Sequence, residues 1–258
     1  MEAQKPRIAI IGGFPRAGTR QFCNLVNLVP DCSIQGEMHT HAYNLFAEFV
    51  QEIDKTYEGR WMGEGYAERR AEAVLEAYRL FSKTNRNDGV DWNLLKVAGL
   101  KKPLAEIAHN QTKLLFGPSR RSITYFYCLR GIHSNFNSLA GAFDYTVPHY
   151  KKRISASISG LQEMTDDAFF DIRPLHLEGF INSDGAQWVH EKLFEPIGLN
   201  MTREETSDAI ERTSGSNRTP DQKRRPGVTQ EEVKALDSDK DFTEKVRWLE
   251  DFFSVSLL

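Results

Sequence analysis

The hydrophobic pattern changes period at the start of the chain. Residues 8–11 (IAII) are a continuous apolar run, the pattern of a short strand covered on both faces. From residue 19 to 29 the apolar side chains Phe22, Leu25, Val26 and Val29 recur at three- and four-residue spacing. That spacing predicts a helix, which Pro30 and Asp31 bring to an end. The joint between them reads GGFPRAGT, so the chain begins with strand, glycine loop and helix, the first half of a βα crossover unit.

The alternation continues. CSIQGE at 32–37 is a second extended piece, and residues 41–82, rich in Ala, Glu, Leu and Arg with scattered aromatics, read as a helical insert with limits at about 41–95. Residues 90–100 return to an apolar pattern and 103–109 predict a short helix. ITYFYCL at 123–129 is the strongest strand signal and is expected at the centre of a sheet. A loop and helix follow over RGIHSNFNSLAGAF, then the basic stretch HYKKR, a long helix near 154–167, and a strand within FFDIRPLHL. Residues 182–197 predict one helix capped by Ser183 or Asp184. RTSGSNRTPDQKRRPG is a polar, basic loop over about 213–228, and 229–253 carries Val233, Leu236, Val246, Leu249 and Phe253 at helical intervals. The order predicts one α/β domain over residues 1–258, with three layers, α/β/α, around a mostly parallel central sheet.

Composition narrows the partners. A chain of 258 residues with 40% apolar and 27% charged side chains suits a globular domain with a large core. A net charge of −3 gives no electrostatic footing for a nucleic-acid partner, so any anion site must be local. No window approaches the roughly 20 apolar residues of a membrane span, and the N-terminus lacks the apolar core of a signal peptide. The chain as given reads as cytoplasmic, with no membrane span. Cys23, Cys32 and Cys128 fit neither a disulfide framework nor a zinc site and read as buried free thiols.

In a sheet of this kind ligands sit beyond the carboxyl ends of the strands, which is where GGFPRAGT lies. Gly12, Gly13 and Gly18 let the backbone approach a bound anion, and the start of the following helix favours negative charge. A nucleotide triphosphatase loop needs Gly-Lys-[Ser/Thr], with lysine on the phosphates and the hydroxyl on magnesium. Here Gly18 is followed by Thr19 and Arg20, and the cation, Arg16, precedes the glycine. That order weakens phosphoryl transfer and a metal requirement, and no metal is expected.

FPRAGTR resembles the 5'-phosphosulfate loop of the sulfotransferases, Pro-[Lys/Arg]-Ser-Gly-Thr-Thr, with departures at Ala17 and Arg20. YCLRGIHSNFNSL resembles the family's 3'-phosphate motif, in which a strand ends at an arginine and a serine follows eight residues later, here Arg130 and Ser138. The resemblance implies a P-loop NTPase-like fold and the donor 3'-phosphoadenosine 5'-phosphosulfate, with 3',5'-adenosine bisphosphate as product. It implies further that Arg16 and the backbone of Ala17, Gly18, Thr19 and Arg20 bind the 5'-phosphosulfate, Thr19 also through its hydroxyl. Arg130 and Ser138 would hold the 3'-phosphate. A guanidinium presents a planar fork to such groups.

Sulfuryl transfer needs a base for the acceptor hydroxyl and positive charge on the leaving oxygen. Glu37 resembles the glutamate base of the tyrosylprotein and several carbohydrate sulfotransferases, with His39 and His41 as rivals. Lys101 in GLKKPL resembles the lysine that supports the sulfate and leaving oxygen. Pro103 stands where the cytosolic aryl branch keeps a histidine base, so the resemblance is closer to the tyrosylprotein, carbohydrate and bacterial branch. Lys223, Arg224 and Arg225 loosely resemble the basic segment that closes over the donor. The resemblance implies a hydroxyl acceptor and leaves its class open: a carbohydrate, glycolipid, small alcohol or phenol, or a peptide tyrosine. Tyr43, Phe46, Phe49, Tyr57, Trp61 and Tyr66 either line its pocket or form the insert's own core. A P-loop kinase or nucleotide triphosphatase, and a non-catalytic nucleotide-binding module, are the alternative readings.

Overall fold

A computed structural model describes residues 6–57, 63, 65–81, 94–117, 123–214, 225 and 227–258. Five strands form one sheet: β1 (Arg7–Gly13), β2 (Cys32–Gln35), β3 (Val97–Lys101), β4 (Ile123–Leu129) and β5 (Phe170–His176). Their order is β2-β3-β1-β4-β5 and every pairing is parallel. In β4 every residue is buried, and in β1 all but Arg7. That explains the unbroken apolar runs, because a parallel sheet is covered on both faces and leaves no polar side to alternate with. The middle position belongs to β1, not to β4 as the apolar content of ITYFYCL suggested. A strand one place from the centre is shielded as fully as the central one, so composition does not separate them.

Helix α1 (Thr19–Asn27) packs with α9 (Arg203–Thr213), and Gln21 Nε2 donates to Thr213 Oγ1 at 2.8 Å. The other layer contains α6 (Val147–Thr165) and α11 (Lys240–Phe253), which pack together. Tyr127 of β4 faces α6 and shares a 2.7 Å hydrogen bond with Ser157. The expected helical insert between β2 and β3 consists of α2 (Thr40–Tyr57) and α3 (Tyr66–Phe81). Its Tyr43 and Tyr78 are buried edge to face at 6.1 Å, so these two rings belong to the core. Trp61 and the Tyr57 side chain lie outside the described residues.

The remaining helices are α4 (His109–Phe116), α5 (Ile132–Phe143), the short α7 (Leu177–Ile181) and α8 (Gly185–Val189), and α10 (Gln230–Asp237). Three predicted segments differ in extent. The basic HYKKR stretch is helical, because α6 begins at Val147, with Thr146 as cap and Pro148 in the first turn. Residues 182–197 start at the expected Asp184 cap but widen after Val189 into π and 3-10 turns. The tail is two helices, since Asp239 accepts from the Phe242 N–H and opens α11 afresh.

With all strands parallel, the last residues Gly13, Gln35, Lys101, Leu129 and His176 share one edge of the sheet. Chain segments far apart in sequence therefore emerge side by side there.

Candidate active site

A cleft of about 1280 Å³ opens along that edge. Arg16, Gly18, Thr19, Arg20, Glu37, Lys101, Arg130 and Ser138 all line it; Ala17 does not. Ala17 is fully buried and its N–H donates to the Phe14 carbonyl at 3.3 Å inside the loop. His39 lines the cleft, and His41, exposed in the first turn of α2, does not.

The loop 14–18 is fixed from several sides. Phe14 N donates to Cys128 O at 2.9 Å, Asn135 Nδ2 to Pro15 O at 2.8 Å and Arg130 Nη1 to Arg16 O at 3.2 Å. Arg16 is held in the left-handed region at φ 63°, a conformation that costs a non-glycine residue roughly 1–2 kcal/mol. Such strain persists only where the surroundings enforce it, here to present the guanidinium to the cleft. The glycines divide by role. Gly18 lines the cleft, whereas Gly12 and Gly13 serve internal packing. A Cβ on Gly13, at φ 84°, would sit 2.4 Å from Cys128 N, and one on Gly12 would sit 1.9 Å from Tyr125 Oη.

Beneath the loop is Glu106, a fully buried residue with no counterpart in the sequence reading. It accepts from Gly13 N at 3.1 Å, from Tyr125 Oη at 2.5 Å and from Ser157 Oγ. Burial raises its carboxyl above the ordinary range, outweighing those hydrogen bonds. In the sequence, PLAEIA offers nothing to distinguish this acid from a surface one.

The α1 N-terminus has no side-chain cap, and no partner among the described residues accepts from the Gly18, Thr19 and Arg20 N–H groups. Beside it stand three guanidinium groups. Burial first, then the neighbouring Arg130 and Arg20 cations, push Arg16 below its usual value, and burial lowers Arg130 despite Glu178. A site with uncapped helix N–H groups and mutually repelling cations is complementary to a polyanion.

Arg130 and Ser138 do not meet each other. Ser138 Oγ accepts from Arg16 Nε at 3.3 Å, while the hydroxyl beside Arg130 is that of Ser134, which accepts from Arg130 Nε at 3.2 Å. Helical geometry accounts for this: α5 starts at Ile132, so Ser138 lies beyond the first turn and toward the loop. Glu178, which follows β5, completes the cluster. It lies 3.8 Å from Arg130 Nε, accepts from Ser134 Oγ at 3.0 Å and from Gly131 N at 3.3 Å, and approaches His176 Nε2 at 3.2 Å. Burial alone would raise its carboxyl, but the close approach of His176 and the hydrogen bonds from Ser134 and Gly131 prevail and hold it at about 2.

That depressed value predicts an acid limb. Glu178 contributes stability that is fully present above its ordinary 4.5 and is lost as pH falls toward about 2. In melting curves taken through that window, the wild-type melting temperature should drop more steeply than that of Glu178→Gln. Parallel profiles would remove Glu178 from this role.

Across the cleft Glu37 and Lys101 are in ion-pair contact, with the Lys101 side chain 10% exposed and Glu37 47% exposed. The carboxylate is thereby positioned yet open to the cleft. Of the later basic segment, Lys223 and Arg224 lie outside the described residues. Arg225 lines the cleft, pairs with Glu232 at 2.8 Å and lies over the Phe136 ring at 5.7 Å. The three cysteines are buried and free.

Comparison with known proteins gives one kind of match. No protein-family model matches the sequence, and no curated protein matches it. Among solved structures, the sulfotransferase domain of the Synechococcus PCC 7002 olefin synthase superposes with TM-score 0.52 at 11% identity, covering 96% of each chain. The sulfotransferase domain of the curacin biosynthetic pathway gives TM-score 0.51 at 12% identity over 100% of both chains. The chain has the sulfotransferase fold. Within that fold the cleft occupies the carboxyl edge of the sheet, and no described helix is long and apolar enough to cross a membrane.

Proposed function

We propose that this chain is a sulfotransferase that moves a sulfuryl group from 3'-phosphoadenosine 5'-phosphosulfate to a hydroxyl acceptor by in-line displacement. The observation that carries the reading is the meeting, in one cleft, of the Arg16 loop with its uncapped helix start and of the Glu37–Lys101 pair. The first suits the phosphosulfate of a donor and the second suits proton removal from an acceptor. The likeness in fold adds support.

The donor, when bound, supplies the sulfuryl group and a phosphate leaving group. Arg16 and the N–H groups at the start of α1 bind the charged end, with Thr19 adding a hydroxyl donor. Arg130, with Ser134 and Ser138 nearby, binds the second phosphate. Glu37 takes the proton from the attacking hydroxyl as the oxygen–sulfur bond forms. Lys101 holds Glu37 in place and, with Arg16, offsets the charge that collects on the departing oxygen.

Calorimetric titration tests the reading. 3',5'-Adenosine bisphosphate should bind more tightly than ATP with magnesium. The phosphosulfate donor should bind roughly a hundredfold more tightly than its analogue without the 3'-phosphate, because that analogue leaves Arg130 without its charged partner. Equal affinities with and without the 3'-phosphate, or a preference for ATP with magnesium, would overturn it.

A further inference from the structure

The cleft is lined by two further cations besides the groups assigned to the donor and the Glu37–Lys101 pair. Lys102 lies there, 5% exposed, its Nζ donating to Thr40 Oγ1 at 2.9 Å, 3.5 Å from the Met38 carbonyl and 5.8 Å from the centre of the Tyr43 ring. Arg153 of α6 lines the same cleft. Its Nη1 donates to Tyr145 Oη at 2.6 Å and its guanidinium lies over the Tyr145 ring at 5.9 Å. Tyr145 stacks on His149 at 4.4 Å, which fixes the plane against which Arg153 rests. Among the described residues no carboxylate lies within ion-pairing distance of Lys102 or Arg153. Burial lowers Lys102, Glu37 and Glu106 pull it back in part, and the Arg153 cation adds a smaller push downward.

A nearly buried ammonium whose hydrogen bonds go only to neutral oxygens remains costly unless a counter-charge comes into contact with it. A second cation lining the same cleft adds to that cost, and the cleft leaves room for an anion to reach both.

We infer that Lys102 and Arg153 form an anion subsite for the acceptor, so that the acceptor is a hydroxylated acid: a molecule carrying a carboxylate or phosphate in addition to the hydroxyl that is sulfated. The inference rests on the sulfotransferase reading for its chemistry but concerns residues outside the donor groups and the Glu37–Lys101 pair. A neutral alcohol would leave both cations uncompensated, whereas an anionic group bridges them and turns its hydroxyl end toward Glu37. Lys102 and Arg153 are positioning residues, since neither touches the reacting atoms.

The test uses ω-hydroxyalkanoates of increasing length, their primary amides, and the matching ω-hydroxyalkyl phosphates. Binding is followed by saturation-transfer NMR with and without 3',5'-adenosine bisphosphate, and transfer is assayed with the phosphosulfate donor. At least one acid or phosphate should bind about tenfold more tightly than its neutral analogue. The better of the two anionic series identifies the natural group. In Arg153→Gln and in Lys102→Met the preference should fall close to unity, with affinity for the bisphosphate unchanged and the melting temperature not lowered. Lys102→Met keeps volume and removes a desolvated charge, so folding is preserved.

Amides that bind as well as the acids, a preference that survives both substitutions, or no binding by any acid or phosphate would overturn the inference. So would variants that lose the bisphosphate rather than the acid. Failure of the wild type to bind the bisphosphate, with the anion preference intact, would instead strike at the sulfotransferase reading.

Discussion

Glu37→Gln should lower turnover by roughly two to four orders of magnitude while leaving the donor dissociation constant almost unchanged. The substitution keeps the shape of the side chain and removes only its capacity to accept a proton. Glu37 is the one carboxylate among the described residues that line the cleft, so no neighbour of the same kind stands ready to replace it. Its partner Lys101 loses an ion pair, and this side chain is only 10% exposed, so some loss of stability accompanies the loss of rate. Stopped assays under saturating donor, with a parallel melting curve, separate the two effects. His39 supplies the control because it lines the same cleft. A Gln variant that stays active, beside an inactive His39→Ala, would move the base to the histidine.

The second large effect is expected at Arg16, where donor binding should fall without a matching loss of stability. Arg16→Gly removes the guanidinium and should weaken donor binding by at least tenfold, since each charged hydrogen bond contributes about 1.5–3 kcal/mol. The same change relieves the left-handed strain at φ 63° and the repulsion from Arg20 and Arg130. The gain of roughly 1–2 kcal/mol from the backbone is offset by about 0.4–1 kcal/mol from the freer unfolded chain. Loss of the Arg16 Nε–Ser138 hydrogen bond offsets the remainder, so the melting temperature should stay close to that of the wild type while affinity falls. A fall in both would mean that Arg16 serves the architecture of the loop. Unchanged affinity would remove it from the donor site.

These two residues also show how far a linear reading reaches. Period and punctuation were enough for β1, α1, β4 and the alternating three-layer order, because a strand covered on both faces must be apolar throughout and a helix must keep one apolar stripe. The FPRAGT loop and Arg130 were legible for the same kind of reason. A cation held beside a glycine turn between a buried strand and a helix is a local pattern, complete within a few residues. Glu37 and Lys101 were legible because each closely follows or ends an extended segment, and parallel strands deliver all such positions to one edge.

Glu106 and Glu178 were invisible, since their chemistry comes wholly from partners distant in sequence: Gly13, Tyr125 and Ser157 for one, Arg130, Ser134 and His176 for the other. The pairing of Ser138 with Arg16 and of Ser134 with Arg130 was likewise beyond spacing, which counts residues along a helix but does not say which side of the loop the helix presents. The contrast between Lys101, paired with a carboxylate, and Lys102, left with a hydroxyl and a carbonyl, arises at the end of β3, where successive side chains diverge into different surroundings. Local periodicity alone determined the layers and the edge on which a site would form. Which charges meet across that edge, and which meet only neutral groups, was decided by the tertiary structure, because electrostatic partnership depends on distance and burial rather than on order in the chain.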